Sequence, residues 1–247
     1  MSDLELFSGE VPYLTTDQMR EVDRAMMEDL KIGLVQMMEN AGRNLAALAR
    51  QRFLDGGPEG RKVVVLAGAG GNGGGSLVCA RWLHNQGAKV TVFTTRPDDE
   101  FAPVPAHQLE ILRNMRVSVS PASRLDSVEG SDLIIDGVIG YSLHGAPQGA
   151  AAGMILWANK QDAPTLALDA PSGVDTTTGA VFDPAIEAVA TMTLALPKEG
   201  LRAPGVAAHV GELYLADIGV PPSLYAGKAL GLSVGNLFAQ SEIIRLS

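Results

Sequence analysis

Two carboxylates stand at the ends of apolar runs. Asp136 lies within Leu133-Ile134-Ile135-Asp136-Gly137-Val138-Ile139-Gly140. Asp169 closes Thr165-Leu166-Ala167-Leu168 and leads into Ala170-Pro171-Ser172-Gly173-Val174-Asp175. A carboxyl beside an apolar strand end is partly desolvated, which raises its pKa and suits it to general acid–base chemistry unless a cation or N–H groups compensate. Either Asp could instead simply cap the turn that follows it, and Asp175 is expected to close a turn. The other chemical feature is Gly68-Ala69-Gly70-Gly71-Asn72-Gly73-Gly74-Gly75-Ser76, which follows the strand-like run Val63–Ala67 directly. Gly68, Gly70 and Gly73 fit G-x-G-x-x-G between a strand and a helix. Glycines let a backbone approach a ligand closely, and the helix N-terminus offers free N–H groups to an anion. The run holds more glycine than a tight turn needs, which favours a ligand-facing loop over a purely structural one.

Several chemistries are disfavoured by what accompanies these residues. The glycine run has no following Lys-Ser or Lys-Thr, so it is not a nucleotide-triphosphate P-loop. A dehydrogenase expects an acidic residue at the end of the second strand, to hold the ribose hydroxyls. Here that strand ends Phe93-Thr94-Thr95, and Asp98 and Asp99 follow only after Pro97. No Gly-x-Ser-x-Gly elbow and no His-x-x-x-His pair occurs. His84, His107 and His209 read as surface or packing residues, while His144 sits on a candidate loop and stays open. The single cysteine, Cys79, can form no internal disulfide and no zinc framework.

The elements that must position these groups alternate. Thr15 and Gln18 form a capping box for a first helix. Leu34, Met37, Met38, Ala41, Leu45 and Leu48 make one apolar stripe on a second. That stripe faces either the core or, given the neighbouring Met26 and Met27, a second copy of the chain. Asp55-Gly56-Gly57-Pro58 ends this helical arm. Strands are then expected at Val63–Ala67, Val90–Thr94, Leu133–Ile139, Thr165–Asp169, Ala190–Leu196 and Glu212–Asp217. Helices are expected from about Gly74 to Gln86, around Pro105–Met115 and over Gln148–Lys160. Runs that are apolar throughout imply strands covered on both faces. The fold class is therefore α/β: a doubly wound, mostly parallel sheet with helices on both faces and an N-terminal helical arm. The expected division is a single domain with an arm over 1–55, an α/β/α core over 61–220 and a tail over 221–247 that carries no pattern.

The whole-chain balance agrees. The chain has 247 residues, of which 46% are hydrophobic, enough for a sizeable core, and its formal net charge is −9. Nucleic acid, whose phosphates demand a basic surface, is an unlikely partner on that charge. The acidic stretch Met1–Glu10 lacks the order of a signal peptide, and no apolar run approaches a membrane span. A soluble, cytoplasmic protein is expected.

In this order the pieces resemble the YjeF N-terminal domain family, the NAD(P)H-hydrate epimerases, from about Leu14 to Gly219. The resemblance rests on Gln18-Met19-Arg20-Glu21-Val22-Asp23, on Met38-Glu39-Asn40-Ala41-Gly42, and on Val65–Ala80 with its glycine run. It continues through Asp136–Gly140, Leu168–Asp175 and Thr193-Leu194-Ala195-Leu196-Pro197-Lys198. It implies a Rossmann-like fold behind a helical arm, usually as a homodimer, with nucleotide-like ligands. The implied substrate is NADH or NADPH hydrated at carbon 6 of the nicotinamide ring. The family interconverts the R and S forms, so that a separate dehydratase can restore the cofactor, and it holds a potassium ion near the site. By position, the resemblance assigns potassium to Asn72, Asp136 and Ser172. It assigns substrate contacts to Gly71, Asn72, Gly73, Gly74 and Gly75, to Gly140, Tyr141, Ser142, Leu143, His144, Gly145 and Ala146, and to Asp169.

Asp169 is the expected catalytic acid and base, and Lys198 either holds a phosphate or carboxamide or caps a strand. The family run commonly reads Gly-Asn-Asn-Gly-Gly-Asp-Gly; here Gly71 replaces the first Asn and Gly75 the acid. Loss of that amide and carboxylate keeps open an alternative, a catalytically silent ligand-binding or scaffold module, as in the mRNA decapping enhancer family. An NAD(P)-dependent oxidoreductase is the third reading.

Overall fold

The computed structural model describes Leu4 and residues 6–247. The N-terminal reading over Met1–Glu10 thus falls partly on residues 1–3 and 5, outside the described residues. Eight strands form one sheet in the order β3-β2-β1-β4-β5-β6-β7-β8. They are β1 (Lys62–Ala67), β2 (Lys89–Thr94), β3 (Ser118–Pro121), β4 (Leu133–Gly137), β5 (Thr165–Leu168), β6 (Ala190–Leu194), β7 (Glu212–Ala216) and β8 (Ile243–Arg245). The first seven pair in parallel, and β8 closes the edge antiparallel to β7. Chain order reverses between β1 and β4, the switch point at which such sheets open a crevice at their carboxyl ends.

Burial explains the uniformly apolar strands. Val63, Val65 and Ala67 pack with α2 (Leu34–Arg52), α3 (Gly71–Asn85) and α4 (Pro103–Asn114). The alternate residues Val64 and Leu66 pack on the opposite face with Met154, Ile155 and Ala158 of α5 (Gly149–Ala158). Strand side chains alternate in direction, so a strand covered on both faces must be apolar at every position.

The helical arm begins with α1 (Thr16–Arg24), whose capping box is formed by Thr15 and Gln18, followed by a π-helical turn at Ala25–Asp29. Leu14 donates its N–H to Pro197 O and accepts from Glu199 N, and Thr16 Oγ1 meets the hydroxyls of Thr176 and Thr177. These bonds fix the arm against the segment that carries Lys198. Of the methionines weighed for a dimer contact, Met26, Met37 and Met38 are buried in this chain's own core, and Met27 is 40% exposed.

Three expectations need correction. Helix α3 starts at Gly71 instead of near Gly74, so much of the glycine run is helical. The edge strands β3 and β8 are additional to those expected: β3 is short and partly polar, and β8 shows that the 221–247 tail does carry a strand. Strand β6 stops at Leu194, not Leu196, because Ala195 turns into a left-handed conformation (φ 63°).

Candidate active site

The strand ends, the start of α3 and the helical arm enclose a cavity of about 290 Å³. Its floor is Leu168 and Asp169, one wall is Gly71, Asn72 and Gly75, and another is Gly140, Tyr141 and Ser142. The arm closes it with Met19, Asp23, Met27, Leu34, Met37 and Met38. The lining is mostly apolar with a few convergent polar groups, as ligand pockets usually are.

Asp169 follows the last residue of β5 in a left-handed conformation (φ 65°), which Asp tolerates better than most residues. Its N–H still bonds Met192 O at 2.7 Å, so the backbone stays tied to β6 while the carboxylate turns out of the sheet. Oδ1 is ion-paired with Lys198, and Oδ2 accepts the Tyr141 N–H at 3.1 Å. The compensating cation and N–H that the sequence left open are both present. Lys198 is fully buried, and its ammonium also donates to Thr193 Oγ1 (3.2 Å) and Leu194 O (2.9 Å). All three donors of the ammonium are thereby spent within the protein. Lys198 lies behind Asp169, does not line the cavity, and caps the end of β6. This is the strand-capping arrangement, with the ion pair added.

Asp136 and Ser172 form a second buried unit. Ser172 donates its hydroxyl to Asp136 Oδ1 (2.6 Å) and its N–H to Oδ2 (2.8 Å), and Val138 N–H donates to Oδ1 (3.1 Å). The Ser172 hydroxyl in turn accepts Ile139 N–H (2.8 Å). Every one of these partners is neutral, and burial pushes the Asp136 carboxyl up to about 6 despite their hydrogen bonds. Neither residue reaches the cavity surface, whereas Asn72 does. Its Nδ2 is buried with no hydrogen-bond partner among the described residues. The positions of Asn72 and Asp169 converge at Gly140, where an added Cβ would lie 3.1 Å from both side chains.

The glycine run divides in two. A Cβ on Gly73 would strike Gly68 O, one on Gly68 would strike Val138 O, and one on Gly74 would strike Met38. Those glycines let α3 sit tightly against β1, β4 and α2. Gly71 has open space around it, while Gly75 lines the cavity but is buried, and a Cβ there would lie 2.8 Å from Leu168 Cδ2. The 140–146 loop divides as well, since Leu143 is buried and His144, Gly145 and Ala146 are exposed away from the cavity lining. Asp175 closes its turn, as expected, by accepting the N–H groups of Thr177 and Thr178. Asp98, too late in the chain for a ribose contact, is ion-paired with Arg113.

Asp23, the last residue of the Gln18–Asp23 segment, also lines the cavity, a role that its adjacent residues do not mark. Tyr141 donates its hydroxyl to Asp23 Oδ2, and burial raises the Asp23 carboxyl while that bond opposes the rise. The available signal was an acid on the apolar side of an amphipathic helix. Met19, Asp23 and Met27 recur every four residues and line one cavity.

The family model described as YjeF-related protein N-terminus matches residues 34–200. A protein of Dehalogenimonas lykanthroporepellens, named NAD(P)H-hydrate epimerase, is 39% identical over 221 residues, 88% of this chain and 86% of that protein. A Salinibacter ruber protein, named Bifunctional NAD(P)H-hydrate repair enzyme Nnr, is 35% identical over 85% of this chain. The chain spans 41% of that longer relative. The crystal structure of yeast ynu0 superposes with a TM-score of 0.80 at 25% identity, covering 96% of this chain and all of that one. No helix among the described residues is long and apolar enough to cross a membrane. By the extent of the family match and by these relatives, the chain belongs to the YjeF-related N-terminal domain family.

Proposed function

We propose that the chain is an NAD(P)H-hydrate epimerase, interconverting the R and S hydrates of NADH or NADPH. The observation that carries this reading is the carboxylate of Asp169, held by buried Lys198 on the floor of a mostly apolar cavity of about 290 Å³, a setting suited to a hydrated nicotinamide ring. Carbon 6 of the hydrate bears a hydroxyl and the ring nitrogen. Protonation of the hydroxyl lets the nitrogen lone pair expel water, leaving a planar iminium, and water re-adds to either face. Asp169 is positioned to move the proton, and Tyr141 N–H and Lys198 hold its two oxygens. The open N–H groups at the start of α3, beside Gly71 and Asn72, suit the anionic part of the substrate.

Asn72, Asp136 and Ser172 fit a potassium ion. All three are oxygen donors of the kind a hard cation takes. Asp136 is a buried carboxyl with neutral partners, and the Asn72 side-chain amide, whose Oδ1 is the candidate ligand, reaches the cavity lining. A potassium ion there would supply positive charge that offsets the buried carboxylate and steadies the strand-end loops. A cytoplasmic homodimer working with a separate dehydratase belongs to the same reading, and exposed Met27, Leu30 and Val35 on the arm offer apolar surface to a second copy.

The test is to mix the protein with separated R-NADHX, with and without potassium, and follow the R/S ratio by chromatography at neutral pH. General acid–base help is worth about 10²–10⁴-fold, so Asp169→Asn should slow exchange by at least about 100-fold. No exchange above the uncatalysed control, with the fold intact, refutes the enzyme and leaves a ligand-binding module.

A further inference from the structure

Epimerisation through a planar intermediate poses a geometric problem. Water leaves from one face of the ring and must return to the other, and a single carboxyl reaches one face at a time. The cavity holds a second carboxyl, Asp23, which no motif match assigns to the reaction. Tyr141 touches both acids through different atoms: its backbone N–H bonds Asp169 Oδ2 at 3.1 Å, and its phenol donates to Asp23 Oδ2. Tyr141 thus links the two carboxyls, through its backbone at one end and its phenol at the other, and both line the cavity. Two acids lining one cavity of about 290 Å³ follow the logic by which paired carboxyls serve opposite faces of a sugar ring.

We infer that Asp23 is the second catalytic residue, serving the face of the substrate ring opposite Asp169. This rests on the epimerase reading above. In one direction the Asp23 carboxyl gives its proton to the C6 hydroxyl. The C6–O bond breaks with its electron pair on oxygen, water departs, and the N1 lone pair forms the C6=N1 bond. A water on the Asp169 face then adds to C6, and Asp169 takes its proton. The net change is inversion at C6 and transfer of one proton from Asp23 to Asp169, restored by exchange with solvent. The reverse direction exchanges the roles.

The two environments suit this division. Asp169 has a cation in contact, Lys198. Asp23 has a phenol, and burial favours its protonated form. The charged and titratable groups acting on Asp23 are Tyr141, Lys198, Asp169 and Tyr225. Its place is secured by α1, through the pairing of Leu14 with the 197–199 segment and the contact of Thr16 with Thr176 and Thr177.

The experiment uses the full chain and separated R- and S-NADHX in ¹⁸O-labelled water, reading the R/S ratio by chromatography and label at C6 by mass spectrometry. In the unaltered protein label enters both epimers. In Asp23→Asn, R/S exchange should fall at least about 100-fold. Label should still enter the epimer whose hydroxyl faces Asp169, by loss and return of water on that face. Asp169→Asn should show the converse, with label entering the other epimer alone. Equal loss of inversion and label uptake in Asp23→Asn, or no loss of either, overturns the assignment while leaving the epimerase intact. Absence of exchange in the unaltered protein overturns both. Tyr141→Phe provides a second readout. Its phenol holds the Asp23 carboxyl down, so without it the alkaline limb of the pH–rate profile should move to higher pH, whatever the rate. An unmoved limb counts against Asp23.

Discussion

The Lys198–Asp169 pair sets the cavity floor, and its removal has a calculable cost. Lys198 side-chain exposure is 0% and that of Asp169 is 5%, so neither charge is screened by solvent. Lys198→Met keeps the stem's volume but leaves the Asp169 carboxylate and Leu194 O without the ammonium. Breaking one partner of a buried pair costs about 3–5 kcal/mol, because an uncompensated charge stays inside. For a chain of this size that corresponds to a fall in Tm of roughly 6–20 °C. Asp169→Asn leaves the converse problem, a buried ammonium with only neutral partners. The double variant Asp169→Asn with Lys198→Met removes both charges, so it should be more stable than the sum of the single losses, with a coupling of about 2–3 kcal/mol. Urea unfolding of the four proteins at one pH measures this. Additivity within about 0.5 kcal/mol would show that the two groups do not depend on each other, and the account of how Asp169 is held would fail.

Other outcomes follow from the same geometry. The folded protein holds the Asp136 proton to about 6 against an ordinary value of 3.8. The protonated form is thus favoured by folding, and stability is greatest below the ordinary value and is lost as pH rises through about 6. The loss is at most about 3 kcal/mol. Thermal melts in potassium-free buffer between pH 4 and 7 should show this decline, Asp136→Asn should flatten it, and potassium should reduce it if the proposed ligands hold the ion. A decline unchanged in Asp136→Asn would assign it elsewhere. Gly73→Ala should cost about 3 kcal/mol or more, at the top of the range for overpacking, because its Cβ would overlap backbone Gly68 O. Gly71→Ala, with open space around it, should be neutral within about 0.5 kcal/mol; equal costs by urea unfolding would contradict the division of the glycine run. Ile243→Asp in β8 should destabilise the protein by at least about 2 kcal/mol, because a charge would replace a buried side chain on the edge strand; a loss near zero would mean the tail is dispensable.

The amino-acid sequence determined the six inner strands of the sheet and the main helices that cover them. Apolar runs such as Val63–Ala67 and Leu133–Ile135 carry their own strand signal, because a strand buried on both faces has no polar alternative. The capping box at Thr15 and Gln18 was legible because its hydrogen bonds span three residues. The glycine run, the strand-end acids and the order of motifs likewise pointed to one family. What local reading could not supply were distances between residues far apart in the chain. Asp23 and Tyr141 are 118 positions apart, and Lys198 lies 29 beyond Asp169. Only tertiary packing made Lys198 a buried counter-ion and separated Gly73, which packs, from Gly71, which faces the cavity. It also brought an acid of the first helix into the same cavity as an acid at a strand end. Sequence spacing encodes neighbours along one element, whereas a site built from four elements exists only once the core has fixed how they meet.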